Sequence, residues 1–219
     1  LAIAIDRNGS EYCEISLRDL ETGENLPDVL PNAQGDMVWS ADSSMLFYTV
    51  LDDNHRPSKV MRHTVGAPAA EDSLIYEEND PGFFLGIGKT ESGRFVVIDA
   101  HDHADTSEIH LIDAADPSSA PRLLLPRETG VTYDVSDHRD RLLIRTNVDA
   151  VDFRIAETPL DMPNRDHWRD VVAHRSGRLI RSMIIFDRFL VRLEREHAQP
   201  RIVIQSLTDG GEHEIFFDE

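Results

Sequence analysis

The sequence predicts an all-β chain: a β-propeller fragment of about five blades, each of four antiparallel strands, with the first blade incomplete. Three observations carry this. The run MVWSADSSMLFYTV at 37–50 sets bulky apolar residues on both sides of an Asp/Ser turn, the mark of a β-hairpin. The same phrase returns as LGIGKTESGRFVVI (85–98), YDVSDHRDRLLIRT (133–146) and SMIIFDRFLVRL (182–193). Leu46, Val96, Leu143 and Leu190 thus hold equivalent places at a period of roughly 47 residues, the length of a four-strand blade. Finally, third strands centred near Arg62, His110, Ile155 and Ile204 repeat in the same phase. A β-sandwich has no reason to keep a fixed period.

The elements follow in order. The first blade, 1–31, shows strands at 1–6, 12–20 and 25–30, closed by Pro31, and lacks one strand. Its turns are Arg7-Asn8-Gly9-Ser10 and Glu21-Thr22-Gly23-Glu24, where Gly23 supplies a positive φ. The second blade, 37–77, has strands at 37–39, 45–51, 58–65 and 73–76, and its linkers hold the Pro, Gly and Asp expected of loops. The third, 83–126, runs 83–87, 94–100, 108–113 and 122–125. The fourth, 131–173, runs 131–135, 141–146, 153–157 and 168–173. The fifth, 179–217, runs 179–186, 189–193, 201–207 and 214–217. A turn of helix fits 166–172, but its place in the blade favours a strand. Trp39 and Trp168 are expected to pack between blades.

A blade hides its apolar faces only by stacking on neighbours. Units of this size close into a ring at about seven, within the usual range for propellers. The chain therefore reads as one partial propeller domain over 1–219, with blade material missing at both ends. Its open edges are expected to self-associate or to leave the ends partly disordered. Its start in mid-strand suggests a piece of a longer protein.

The composition narrows the function. The 219 residues are 40% hydrophobic and 29% charged, enough for a packed core. Forty-one acids against 22 bases leave a formal charge of −19, which repels nucleic acid and attracts cationic ligands. No apolar run approaches the ~20 residues of a membrane span, and LAIAIDRNGS lacks the features of a signal peptide. Cys13 is the sole cysteine, sits in the alternating run YCEISL as a packing residue, and fits a reducing cytoplasm.

Catalytic motifs are absent from the sequence. There is no GxSxG, no GxxxxGK[ST] and no HExxH. Ser92 and Ser176 fall in hairpin turns, as do His138 and Arg139. The cluster His101-Asp102-His103-Ala104-Asp105 has metal-ligand residue types, yet adjacent positions seldom complete a four-coordinate site, so it reads as a polar loop. No cofactor or metal is expected.

The segments VWSADSSMLFYTVLDDNHRPSKVMRHTVG, DSLIYEENDPGFF, LPRETGVTYDVSDHRDRLLIRTN, PRIVIQSL and the terminal IFFDE, taken in order, resemble the oligopeptidase B branch of the prolyl oligopeptidase family of serine peptidases. The resemblance implies a seven-bladed propeller capping an α/β-hydrolase domain that carries Ser, Asp and His, in a cytoplasmic enzyme cleaving short peptides after Arg or Lys. It implies that this chain is the middle of the propeller, with the catalytic domain as its missing partner. The propeller would then gate substrate, excluding folded proteins. In such a propeller the loops into each first strand and those joining second and third strands share one face, here holding Gln34, Asp36, Asp52, Asp53, Asp80, Phe83, Phe84, His101, Asp102, Asp149 and Asp152. The expectation is an acid-rich rim of the substrate cavity that attracts basic peptides. The alternative is a stand-alone propeller serving as a protein-interaction scaffold. A sugar hydrolase would need two carboxylates facing each other across the channel, which the sequence does not place.

Overall fold

A computed structural model describes residues 1–216. It holds eighteen strands in four antiparallel sheets and two single turns of 3-10 helix, at Ala69–Glu71 and Arg165–His167. The first sheet has six strands in chain order: β1 (Ala2–Ile5), β2 (Cys13–Arg18), β3 (Asn25–Trp39), β4 (Met45–Leu51), β5 (Pro57–Thr64) and β6 (Ser73–Glu77). The second comprises β7 (Phe84–Lys89), β8 (Phe95–His101), β9 (Ser107–Asp113) and β10 (Arg122–Leu123). The third comprises β11 (Tyr133–His138), β12 (Arg141–Thr146), β13 (Arg154–Pro159) and β14 (Arg169–Val172). The fourth comprises β15 (Arg178–Ile185), β16 (Phe189–Glu196), β17 (Gln199–Ser206) and β18 (Glu212–Ile215). The sequence expectation for 214–217 reaches Phe217, which lies outside the described residues.

The repeat is visible in burial. Leu46, Val96, Leu143 and Leu190, equivalent by sequence, all have zero exposure. They pair across their hairpins with Trp39, Lys89, Ser136 and Ile185. Second strands are apolar without alternation because both faces are covered. In β4, Leu46 and Tyr48 pack with Ile15, Leu17 and Leu30, while Phe47 packs with Leu85, Val96 and Ile98. In the last two sheets, Leu143 and Ile155 pack with Ile180, Ile185 and Leu190.

The first hairpin turn shows how local chemistry ends a strand. Asp42 Oδ1 accepts hydrogen bonds from the Ser40 and Ser44 hydroxyls at 2.7 and 2.8 Å and from the Ser44 amide at 3.0 Å. Led by the Ser44 amide, these bonds hold the carboxyl down at about 2.

One element boundary differs from the sequence reading. Pro31 was expected to close a strand, with a new one starting at Met37; instead β3 runs through without a break. Its first half pairs with β2 (Ile15↔Leu30, Ser16↔Val29) and its second half with β4 (Val38↔Phe47), so Ala33 faces both Cys13 and Val50. The register shifts on both sides of Ala33 are bulges. Asn32 at φ 58° and Gly35 at φ 119° take up the bend. Near 166–172, where a strand was favoured over a turn of helix, β14 forms the strand and a 3-10 turn at Arg165–His167 precedes it.

The chain divides into two compact units: residues 1–89, 93–104 and 110–123 in one; 90–92, 105–109 and 124 onward in the other.

Candidate functional site

In the first unit, the connections that the sequence assigns to the rim are knitted together by side chains. The Tyr12 hydroxyl, ahead of β2, donates to the Asp52 carbonyl at 2.8 Å, and its ring lies 4.7 Å from that of His55. The β4–β5 turn is built by Asp52, whose Oδ1 accepts the amides of Asn54 and Arg56 at 2.9 and 3.1 Å. Arg56 Nε donates to Asp52 Oδ2 at 3.0 Å. Burial pushes the Asp52 carboxyl up, but the Arg56 and Asn54 amides and the guanidinium outweigh it, leaving the group below its ordinary value.

The Arg56 guanidinium then crosses to the β6–β7 connection. Nη1 donates to the carbonyls of Phe83 at 2.8 Å, Asp80 at 3.0 Å and Glu78 at 3.3 Å, and Nη2 donates to Glu78 at 3.2 Å. That loop has its own turn: Asp80 Oδ1 accepts the Gly82 amide at 2.9 Å, and the Phe83 amide donates to the Asp80 carbonyl at 3.1 Å. Phe83 is buried and Phe84 half-buried. Phe84 stands opposite His101 in the β7–β8 ladder, and its ring lies 4.2 Å from His103.

The structure therefore brings Asp52, Phe83, Phe84, His101 and the loop of Asp102 into one continuous set of connections. Asp53 is exposed at the tip of its turn. Asp102 accepts the Ala104 amide at 3.0 Å. His101 turns to Asp99, with Nδ1 3.0 Å from the carboxylate, and that partner raises its pKa. With His101 drawn to Asp99 and His103 to Phe84, the side chains of this loop diverge. Among the described residues, no group of three His, Cys, Asp or Glu is placed to hold a metal ion.

Gln34 and Asp36 are placed differently from the sequence reading. Both lie inside β3 and not in a loop, because the strand bulges where a break was expected. The Gln34 Oε1 accepts the Thr49 hydroxyl at 3.1 Å, and its carbonyl lies 3.5 Å from Cys13 Sγ. In the second unit, Asp149 is exposed and Asp152 accepts the Gly177 amide at 2.7 Å. Arg56 escaped the sequence reading. Its signal was there: an Asp and an Arg four apart in a Pro-bounded loop.

The second unit contains a Ser, an Asp and a His near a cleft of about 390 Å³ lined by Glu91, Ser92, Asp137, His138 and Phe186. Ser92 Oγ donates to Asp137 at 2.6 Å, but His138 Nε2 pairs with the Asp187 carbonyl at 2.9 Å. The serine is thus bonded to a carboxylate and the histidine to a backbone carbonyl, which is not the hydroxyl-to-imidazole pairing of a serine nucleophile.

Comparison with known proteins agrees with this architecture. The family described as "Prolyl oligopeptidase, N-terminal beta-propeller domain" matches residues 1–218. The dipeptidyl aminopeptidase BI of Pseudoxanthomonas mexicana is 39% identical over the whole chain, which covers 30% of that protein. Protease 2 of Moraxella lacunata is 36% identical, again over the whole chain and 31% of its own length. Among solved structures, oligopeptidase B from Leishmania major superposes over the whole chain with a TM-score of 0.91 at 28% identity, covering 32% of that chain. Oligopeptidase B from Trypanosoma brucei, in a closed form with covalently bound antipain, gives 0.88 at 28% identity and 31% coverage. The chain thus spans about a third of the length of these relatives. With its four-stranded repeats, its β3–β4 hairpin phrase and this match along 1–218, the chain belongs to the N-terminal β-propeller domain family of the prolyl oligopeptidases.

Proposed function

We propose that this chain is the substrate-gating propeller portion of a serine oligopeptidase that hydrolyses short peptides after Arg or Lys. The chemistry, acyl-enzyme formation by a serine with a histidine base, belongs to an α/β-hydrolase domain elsewhere in the full-length enzyme. The family match supports the propeller's membership in a peptidase. The free, half-buried Cys13 suits a reducing cytoplasm.

The observation that carries the gating role is the linked, acid-rich set of connections around Asp53, Phe84 and Asp102, on a chain whose formal charge is −19. Carboxylates at a cavity mouth raise the local concentration of cationic peptides through a field that salt screens within about 10 Å at 0.1 M. Asp53 presents its charge to solvent, whereas the guanidinium of Arg56 compensates Asp52.

In the full-length enzyme, Asp53→Asn with Asp102→Asn is expected to raise KM for an Arg-containing peptide about threefold at low salt. The effect should fade at high salt, with kcat unchanged. An unaltered KM at low salt would sink the electrostatic part of this reading.

A further inference from the structure

Arg56 is heavily engaged within the rim, and neither family membership nor the substrate-gating role assigns it a task. Its side chain is only 12% exposed, and its partners lie on two separate connections. On its own turn it has the Asp52 carboxylate; across the gap it has the carbonyls of Glu78, Asp80 and Phe83. Three carbonyls from six residues of irregular backbone converge on one cation. A loop that turns its carbonyls toward a part-buried place leaves them short of water and in need of donors there. A planar fork with several donors does this from one side, which a single ammonium on a flexible stem does not.

The consequence lies at the end of the loop. Phe83 accepts the shortest of the bonds from the guanidinium and is followed at once by Phe84, the first residue of β7. Phe84 meets His103 ring to ring and pairs with His101 across the ladder. The loop path from Glu78 to Phe83 therefore sets where the aromatic–imidazole pair of the rim stands.

We propose that Arg56 is a positioning residue for substrate entry: its guanidinium fastens the Glu78–Phe83 loop and so fixes the Phe84–His103 pair that peptide substrates meet. This rests on the reading of the rim as substrate-facing. Arg56 makes no bond to a reacting atom, and its effect belongs in KM and not in the chemical step. The positional tolerance is tight, since small misplacements of positioning groups weaken function steeply.

The test uses the full-length enzyme and three variants: Arg56→Ala, Arg56→Lys and Phe84→Ala. Arg56→Ala is expected to raise KM for a short Arg-containing peptide about tenfold with kcat within about twofold, and to speed hydrogen exchange at the amides of 78–84. Arg56→Lys, which keeps the charge and most of the stem, is expected to show the same KM and exchange changes in reduced form; it decides the matter if the alanine variant does not fold. Phe84→Ala is expected to raise KM without loosening the loop. If Phe84→Ala raises KM while the Arg56 variants leave KM and exchange as in the parent, the positioning role is overturned and the substrate-facing rim stands. If Phe84→Ala leaves KM unchanged, the rim reading fails and takes the proposal with it.

Discussion

His63 has no exposed surface and lies between two aspartates, with Nε2 2.7 Å from Asp28 Oδ1 and Nδ1 2.7 Å from Asp72 Oδ1. Asp28 Oδ1 also accepts the Gly66 amide at 2.6 Å, and Asp72 Oδ2 accepts the Tyr48 hydroxyl at 2.7 Å. The cluster ties β3, β4, β5 and the turn before β6 together from within. Removing its centre leaves two buried carboxylates without the ring they share, a fault on the order of a few kcal/mol. His63→Leu is therefore expected to lower the urea midpoint sharply at neutral pH; a midpoint within error of the parent would refute the account. The sign with pH follows from Asp28. Burial pushes its carboxyl up, but the His63 and Gly66 hydrogen bonds win, and it ends below its ordinary value of 3.8. Its contribution is fully present above 3.8 and is lost as pH falls through the lower folded value. None of this was legible in the sequence, where His63 stands 35 residues from Asp28 and nothing local marks the pair. Asp42, by contrast, was legible as a turn residue because its partners are its immediate neighbours.

At the level of the element, hairpins were read correctly because each is a local pattern: apolar strand, Asp/Ser/Gly/Arg turn, apolar strand. The rim connections were read as positions and not as contacts. Asp52 belongs by sequence to an acid-rich rim, yet its turn amides and Arg56 occupy its carboxylate. The misreading of β3 has a physical root. Pro31 is a strand breaker by composition, yet its missing N–H is tolerated where a bulge has already interrupted the ladder. Gly35 at φ 119° is what keeps the strand continuous. A β-carbon there would meet Cys13 Sγ and Ala4 Cβ only at 3.8 and 3.9 Å, so space is not the obstacle. Gly35→Ala is expected to destabilise by about 1–2 kcal/mol through backbone strain alone. Thermal unfolding measures it, and a stabilised variant would contradict the bend assigned to this residue.

Over the whole molecule, the repeat was legible because four burial-demanding positions recur about a blade length apart, and all four are without exposure. The division into two compact units was not legible, since it follows packing and not period. Function was legible only through resemblance, because the sequence carries no catalytic motif such as GxSxG from which a reaction could be read. The 219-residue polypeptide is accordingly expected to release no product from an arginine ester, followed by absorbance at high protein concentration; turnover would overturn the assignment of chemistry to another domain. The unbroken β3 also bears on how the protein can be dissected. A protease site or inserted tag at 31–36, where repeat-by-repeat bookkeeping would cut, would sever a ladder shared by strands on both sides. The Asp6–Glu11 turn, which its own carboxylate closes locally, is the safer place for a graft.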